Sequence, residues 1–430
     1  MMKKTPTDLD EGTIRRIDWQ ELVPAVLLPR AFRVAVSFRV LWLATIGLLL
    51  TTIAALLING IAGTSVQVSL ENPDDSVLIS RDGFQKKDFA REKIVNTNRI
   101  ADLAGTGFSK DQSFRAESLH LPTLAQAFDS MLYPWKSLTD SVAQLLPLKK
   151  NFRMNILSFF WFLWVFGVSI VIGGAITRSA AIRLTIEQHE RIGRVFEFMN
   201  KNWKSYCVSV LLPLVGMFFS FLIVWIAGKL FSVIVVNYLV ALFFPLILLA
   251  GFCFSILGIG LLFGWPLLFA AVSVDGSDGF DAVSRAYSYV FQRPLQYLVY
   301  MILAVLIGAF GWFFVAWIID LTVFLSVSAA GITLADFNPT QSVAAPIPVK
   351  IVFFWCWCMQ LCKVGYLFGY FWTSSTLIYL ILRRSVDGTP FDIVRTIPDE
   401  TVPMMIPPIK TDAQGAPEME KPNDLKTSQT

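Results

Sequence analysis

Five apolar blocks constrain this chain more than anything else in it: Val40 to Ile61, Ile156 to Ile176, Tyr206 to Val274, Leu295 to Gly331 and Ile351 to Leu382. A helix needs about 20 apolar residues to cross roughly 30 Å of hydrocarbon. The first two blocks make one span each, and the other three are too long for one untilted span. Charged residues are 16% of the sequence, against about 25% in soluble globular chains. The expected fold class is therefore an all-α membrane protein. A net charge of +4, dispersed along the chain, gives no footprint for nucleic acid. The first block lies behind Arg30, Arg33 and Arg39, is longer than a secretory h-region, and reads as a retained signal anchor.

An internal repeat orders the blocks. Ser273-Val274-Asp275-Gly276, followed by Phe280, Asp281 and Val283, recurs as Ser385-Val386-Asp387-Gly388, followed by Phe391, Asp392 and Val394. Both copies end a long apolar run. A fainter third copy places Phe196, Phe198 and Tyr206 on Tyr287, Tyr289 and Tyr297. After each of the two upstream runs, apolar residues recur at helical spacing: Ile182, Ile186, His189, Ile192, Phe196 and Met199, then Phe280, Val283, Tyr287 and Val290. These stripes predict amphipathic helices at the membrane interface or beneath the bundle.

Equivalent units belong on one side of the membrane. Arg178, Arg183, Arg191, Arg194, Lys201 and Lys204 mark the first unit as cytoplasmic. Arg383, Arg384 and Arg395 do so for the last, and Lys3, Lys4, Arg15, Arg16, Arg30, Arg33 and Arg39 for the N-terminus. The expectation is a six-helix transmembrane bundle with both termini in the cytoplasm: about 40–61, 154–177, 206–228, 240–273, 295–320 and 350–383. Pro245 and the glycines after it offer kinks in the fourth span. The alternative divides 231–274 into two spans, giving seven helices and an external 275–293.

Five segments follow from this topology. Residues 1–39 form a basic interfacial stretch, suited to anionic inner-leaflet lipid, and 40–61 the first span. Residues 62–153 form an extracytoplasmic loop with 12 basic and 11 acidic residues. Residues 154–383 form the bundle of repeated helix units, and 384–430 a mostly disordered proline-bearing tail. Within the loop, Leu121, Leu124, Phe128, Met131, Trp135, Leu138, Val142 and Leu145 keep a helical period across Pro134. They predict one or two amphipathic helices, either lying at the interface or closing a small domain over the bundle.

Signals for chemistry are few. The two histidines, His120 and His189, have no acid–base partner in the pattern. P-loop, zinc pair and nucleophile elbow are missing from the sequence. Cys356, Cys358 and Cys362 share one helix but diverge around it, and read as small core residues. No enzyme activity, cofactor or metal is expected. Asp275 and Asp387 read as span-ending acids whose glycines permit the turn, with Ser277 or Asp278 capping the next helix. Their functional alternative is a pair lining a cytoplasmic vestibule. Ionisable groups inside spans are functional hypotheses by default. Lys363 lies inside the sixth span and Asp320 at the outer end of the fifth, so an intramembrane polar pair between them is one expectation. A snorkelling lysine is the other. Gly260-x-x-x-Gly264 and Gly365-x-x-x-Gly369 permit close helix contact. The partners expected are the lipid bilayer and a protein partner, or self-association through these glycine-rich faces.

The stretch from Pro266 through Asp275-Gly276 to Ala282, Ser284, Tyr287 and Arg293 resembles bacterial polytopic families. These include the membrane domain attached to some glycerophosphodiester phosphodiesterases, and relatives of unknown function. The likeness reaches over residues 155–395 at most, without the catalytic barrel of those phosphodiesterases, so no activity comes with it. The N-terminal run and the long loop look more like uncharacterised bacterial membrane proteins, planctomycete ones among them. The expectation is an inner-membrane protein that organises membrane or binds a partner; the alternative is a transporter or channel.

Overall fold

The computed structural model describes residues 24–61, 123–143, 152–188, 190–233, 236–329, 347–391 and 393–395. The described residues hold helices and no strand, the solution that lets every backbone group bond within its own segment in lipid. In chain order the helices are α1 (Pro29–Ala35), α2 (Phe38–Ile61), α3 (Leu124–Met131), α4 (Tyr133–Ala143), α5 (Phe152–Val168), α6 (Gly174–Thr185), α7 (Ile192–Phe231), α8 (Val236–Leu242), α9 (Phe244–Asp275), α10 (Gly279–Gln292), α11 (Pro294–Ala329) and α12 (Ile347–Asp387). A π-helical turn, Ser169–Gly173, joins α5 to α6 without a break.

Six of the runs are long and apolar enough to cross a membrane, which makes this a multi-pass membrane protein. Residues 231–274 supply one such run, not two. α8 is only seven residues long, and Pro245 stands in the first turn of α9 rather than at a kink. At that position its missing N–H costs nothing.

The core is organised round α12, which packs against α1, α2, α6, α9 and α11. Its spanning window is 89% buried, although it is the least apolar of the six. α9 carries the most apolar window and is only 11% buried. This inverts the rule for water-soluble helices. Lipid tails are as apolar as leucine, so apolarity does not drive a helix inward, and packing and polar contacts decide the centre. The interior beside α12 is filled by rings. Trp265 lies 5.2 Å from Phe371 and 5.5 Å from Trp372, and Phe269 lies 4.8 Å from Trp372. A Cβ on Gly173 would enter the Trp372 ring, so the π turn leaves that ring its space.

Two short segments enter this core. Residues 24–35 do not lie flat at an interface: Leu27, Leu28, Ala31, Val34 and Ala35 are buried. Phe32 meets Tyr366 edge-on at 6.1 Å, in space that Gly311 leaves open. The loop helices are two, α3 and α4, parted at Leu132. α3 is opened by a capping box in which the Thr123 hydroxyl accepts from the Gln126 N–H and the Gln126 side chain accepts from the Thr123 N–H. They do not close a separate domain. α3 packs along α11, and Trp135 of α4 stands 5.9 Å from Trp265 and 6.3 Å from Phe371.

The stripe expected to run as one helix through 182–199 is broken. α6 ends at Thr185, Glu187 takes a left-handed φ of 58°, and α7 starts at Ile192. His189 lies outside the described residues, as do His120 and Asp392. α7 then continues without interruption into its span, whereas α10 is a separate helix closed off at Arg293 and Pro294. The faint third copy thus differs from the other two in its connection.

Candidate functional site

Polar groups gather at one end of the bundle, where α6, α7, α9, α10 and α12 meet. Both repeated turns are built alike. Asp275 and Asp387 are the last helical residues, and Gly276 (φ 58°) and Gly388 (φ 65°) follow in the left-handed region. Glycine enters that region without the Cβ penalty and closes the helix. Asp278 caps α10 by accepting the Asp281 N–H at 2.8 Å; Ser277, the other candidate cap, is buried and does not fill that role.

Each acid is held by the other unit. The Asp275 carboxylate accepts from Arg383 at 2.6 Å, from Arg285 at 3.1 Å and from the Tyr379 hydroxyl. Asp387 accepts from the Tyr289 hydroxyl, and the Tyr289 and Tyr379 rings lie 5.4 Å apart. Burial, then the Asp387 carboxylate beside it, pushes the Tyr289 phenol up and keeps it a neutral donor. At Arg285, burial pulls the guanidinium down, but Asp281, Tyr379 and Asp275 outweigh it and hold the charge firmly. The segment after α12 folds back across this end. Arg383 donates to the carbonyls of Pro390 and Ile393 at 3.0 and 2.6 Å. Arg395 donates its backbone N–H to Val274 at 3.0 Å and its side chain to Gly276 at 2.9 Å. Asp275 is therefore a fully engaged acid, bonded to two guanidiniums and a phenol.

A second polar knot begins two residues before Asp275. The Ser273 hydroxyl bonds Thr177 at 2.6 Å and Tyr206 at 2.8 Å, and its carbonyl accepts from Arg178 at 2.8 Å. Arg178 is wholly buried, with Glu190 at 3.4 Å and the Phe198 ring at 4.0 Å. Arg39, at the start of α2, donates to the Glu190 carbonyl. This explains the break between α6 and α7. A buried guanidinium needs a counter-charge, and the chain turns at Glu187 to bring Glu190 back.

Toward the other end of α12 the structure brings Lys363 and Asp320 together. The ammonium donates to the carboxylate at 2.7 Å, and Gln360 donates to the same oxygen at 3.0 Å. Lys363 is 3% exposed, so it does not snorkel. Both Gly-x-x-x-Gly faces are covered from within the chain. Gly260 and Gly264 face Tyr287 and Val290 of α10, while Gly365 and Gly369 face Thr45 and Val40 of α2. Cys356, Cys358 and Cys362 are free thiols strung along α12. Among the described residues no three histidine, cysteine, aspartate or glutamate side chains converge on one point.

Sequence reasoning treated Arg178 and Arg383 only as markers of sidedness and did not single out Arg285, Tyr379 or the Ser273 hydroxyl. The recurrence of Asp275 and Asp387 was the signal available: a repeated acid at the end of a span asks for a repeated donor nearby.

These features define a class: an all-α, multi-pass membrane protein gathered round a buried central helix, with its buried cations Arg178, Lys363 and Arg383 each paired to an acid. The chain matches no family model, no curated protein and no solved structure.

Proposed function

We propose that this chain is a non-enzymatic inner-membrane protein that organises membrane or holds a partner complex, with both termini cytoplasmic. The observation that carries the reading is the filled centre. α12 is buried among Trp265, Phe269, Phe371 and Trp372, and the acids at its end are spent on Arg383, Arg285, Tyr379 and Tyr289. A frame of this kind supplies rigid surfaces, not a reacting centre. The sidedness is supported by Arg39, Arg178, Arg285, Arg383 and Arg395, which share one end of the bundle.

A second reading, transport, is favoured by one detail. The Gln360 side-chain carbonyl is buried without a hydrogen-bond partner beside the Lys363–Asp320 pair. A buried acceptor in that state asks for a donor. Purified protein in sealed vesicles, assayed for proton and alkali-cation flux, separates the two. The frame predicts no flux above empty vesicles for the wild type or for Lys363→Met. A wild-type flux that Lys363→Met abolishes would replace the frame with a transporter.

A further inference from the structure

Lys229 is the sole charged residue between Lys204 and Asp275. It lies near the end of α7, exposed, with its ammonium 5.7 Å from the centre of the Trp225 ring. The other end of the span is marked in the same way, by Lys204 at 6.0 Å from the Trp203 ring. The two lysines are roughly 25 residues apart, about 38 Å of helix. A bilayer measures about 30 Å across its hydrocarbon and 40–45 Å with its headgroups. Tryptophan and lysine favour those two boundary layers. Lys229 therefore stands at headgroup depth on the face opposite Lys204.

Beside it the helices part. α7, α8 and α9 leave a crevice of about 490 Å³ between them. Its walls are Ile223, Ile226, Ala227 and Leu230 of α7, Val236, Leu239 and Val240 of α8, and Phe243, Leu246 and Ile247. The lining is apolar throughout, and the crevice faces the hydrocarbon. The Asn237 side-chain carbonyl, on α8 at the same corner, is buried without a hydrogen-bond partner.

We propose that this corner is a phospholipid site: one acyl chain of an anionic lipid fills the α7–α8–α9 crevice, and Lys229 holds its phosphate. Three features select this occupant over any other. The wall is purely apolar, so the inserted part is hydrocarbon. The one flanking charge is positive and lies at headgroup depth, so the head is anionic. The unpartnered Asn237 oxygen on α8 is an acceptor that a hydroxyl of a glycerol headgroup can satisfy.

The test uses the full chain purified in detergent, with phosphatidylglycerol or phosphatidylcholine titrated in and bound lipid counted by native mass spectrometry. The wild type is expected to retain phosphatidylglycerol about fivefold better, the worth of one lysine near an anionic surface. Lys229→Gln is expected to erase that preference, and Lys229→Arg to keep it. Ala227→Leu, which fills the crevice from the α7 wall, is expected to lower retention of both lipids with unchanged thermal stability. Equal retention of the two lipids by the wild type overturns the proposal. So does a preference that survives Lys229→Gln, or phosphatidylglycerol retention that survives Ala227→Leu.

Discussion

Replacing Asp275 with alanine tests what holds this polar end of the bundle together. The Arg383 side chain is 2% exposed, and Asp275, 15% exposed, is its counter-charge at 2.6 Å. Breaking a buried pair by removing one partner leaves an uncompensated charge and costs about 3–5 kcal/mol. Arg383 would still donate to the Pro390 and Ile393 carbonyls, so the lower end, about 3 kcal/mol, is expected. Arg285 touches the same carboxylate but is 38% exposed, and Arg285→Ala should cost about 1 kcal/mol or less. Adding Arg383→Met to Asp275→Ala removes the stranded charge and should recover most of the loss, a coupling that a double-mutant cycle reads directly. The measurement is reversible unfolding in mixed micelles, followed by circular dichroism as the denaturing detergent fraction rises. Asp275→Ala within about 1 kcal/mol of wild type, or equal in cost to Arg285→Ala, would refute the view that the Arg383 pair is the main tie.

Other perturbations read other parts of the fold. At the Lys363–Asp320 pair the lysine is the deeper partner, at 4% side-chain exposure against 14%, so Asp320→Ala should destabilise more than Lys363→Met, by about 2 kcal/mol in the same unfolding assay. Gly276→Ala and Gly388→Ala each force alanine into the left-handed region at about 1–2 kcal/mol. Gly276→Ala should be the costlier, because its new methyl meets Arg395 whereas Gly388 faces open space. For sidedness, single cysteines at Ser284 on exposed α10 and at Thr389, in a chain cleared of its own five cysteines, should both label from the cytoplasmic face. Labelling of Ser284 from the opposite face would remove the common side assigned to the repeat.

The fourth span was legible in part. Residues 240–273 were expected as one run, and α9 supplies it from Phe244, because Pro245 can begin a helix as readily as bend one. The turns after Asp275 and Asp387 were readable because an Asp-Gly pair after a long apolar run has few other uses. The break at residues 186–191 was not readable. Its cause is the pairing of Arg178 with Glu190, a contact between side chains 12 residues apart that leaves no mark in apolar periodicity. For the same reason the loop helices were seen as helices but not as elements lodged against α11 and α12. Amphipathic spacing says which face is apolar, and nothing about which neighbour covers it.

By itself the sequence determined the class, six or seven spans, the Asp-Gly turns and the uneven distribution of positive charge. These follow from local chemistry: run length against bilayer thickness, glycine's left-handed freedom, and the cost of an unbonded backbone in lipid. The tertiary structure alone decided the centre. In hydrocarbon every apolar face is equally at home, so hydropathy cannot rank the helices by depth. What placed α12 in the middle was contact: Gly365 and Gly369 against α2, rings against α9, and Lys363, Tyr370 and Arg383 each finding a partner on another helix or turn.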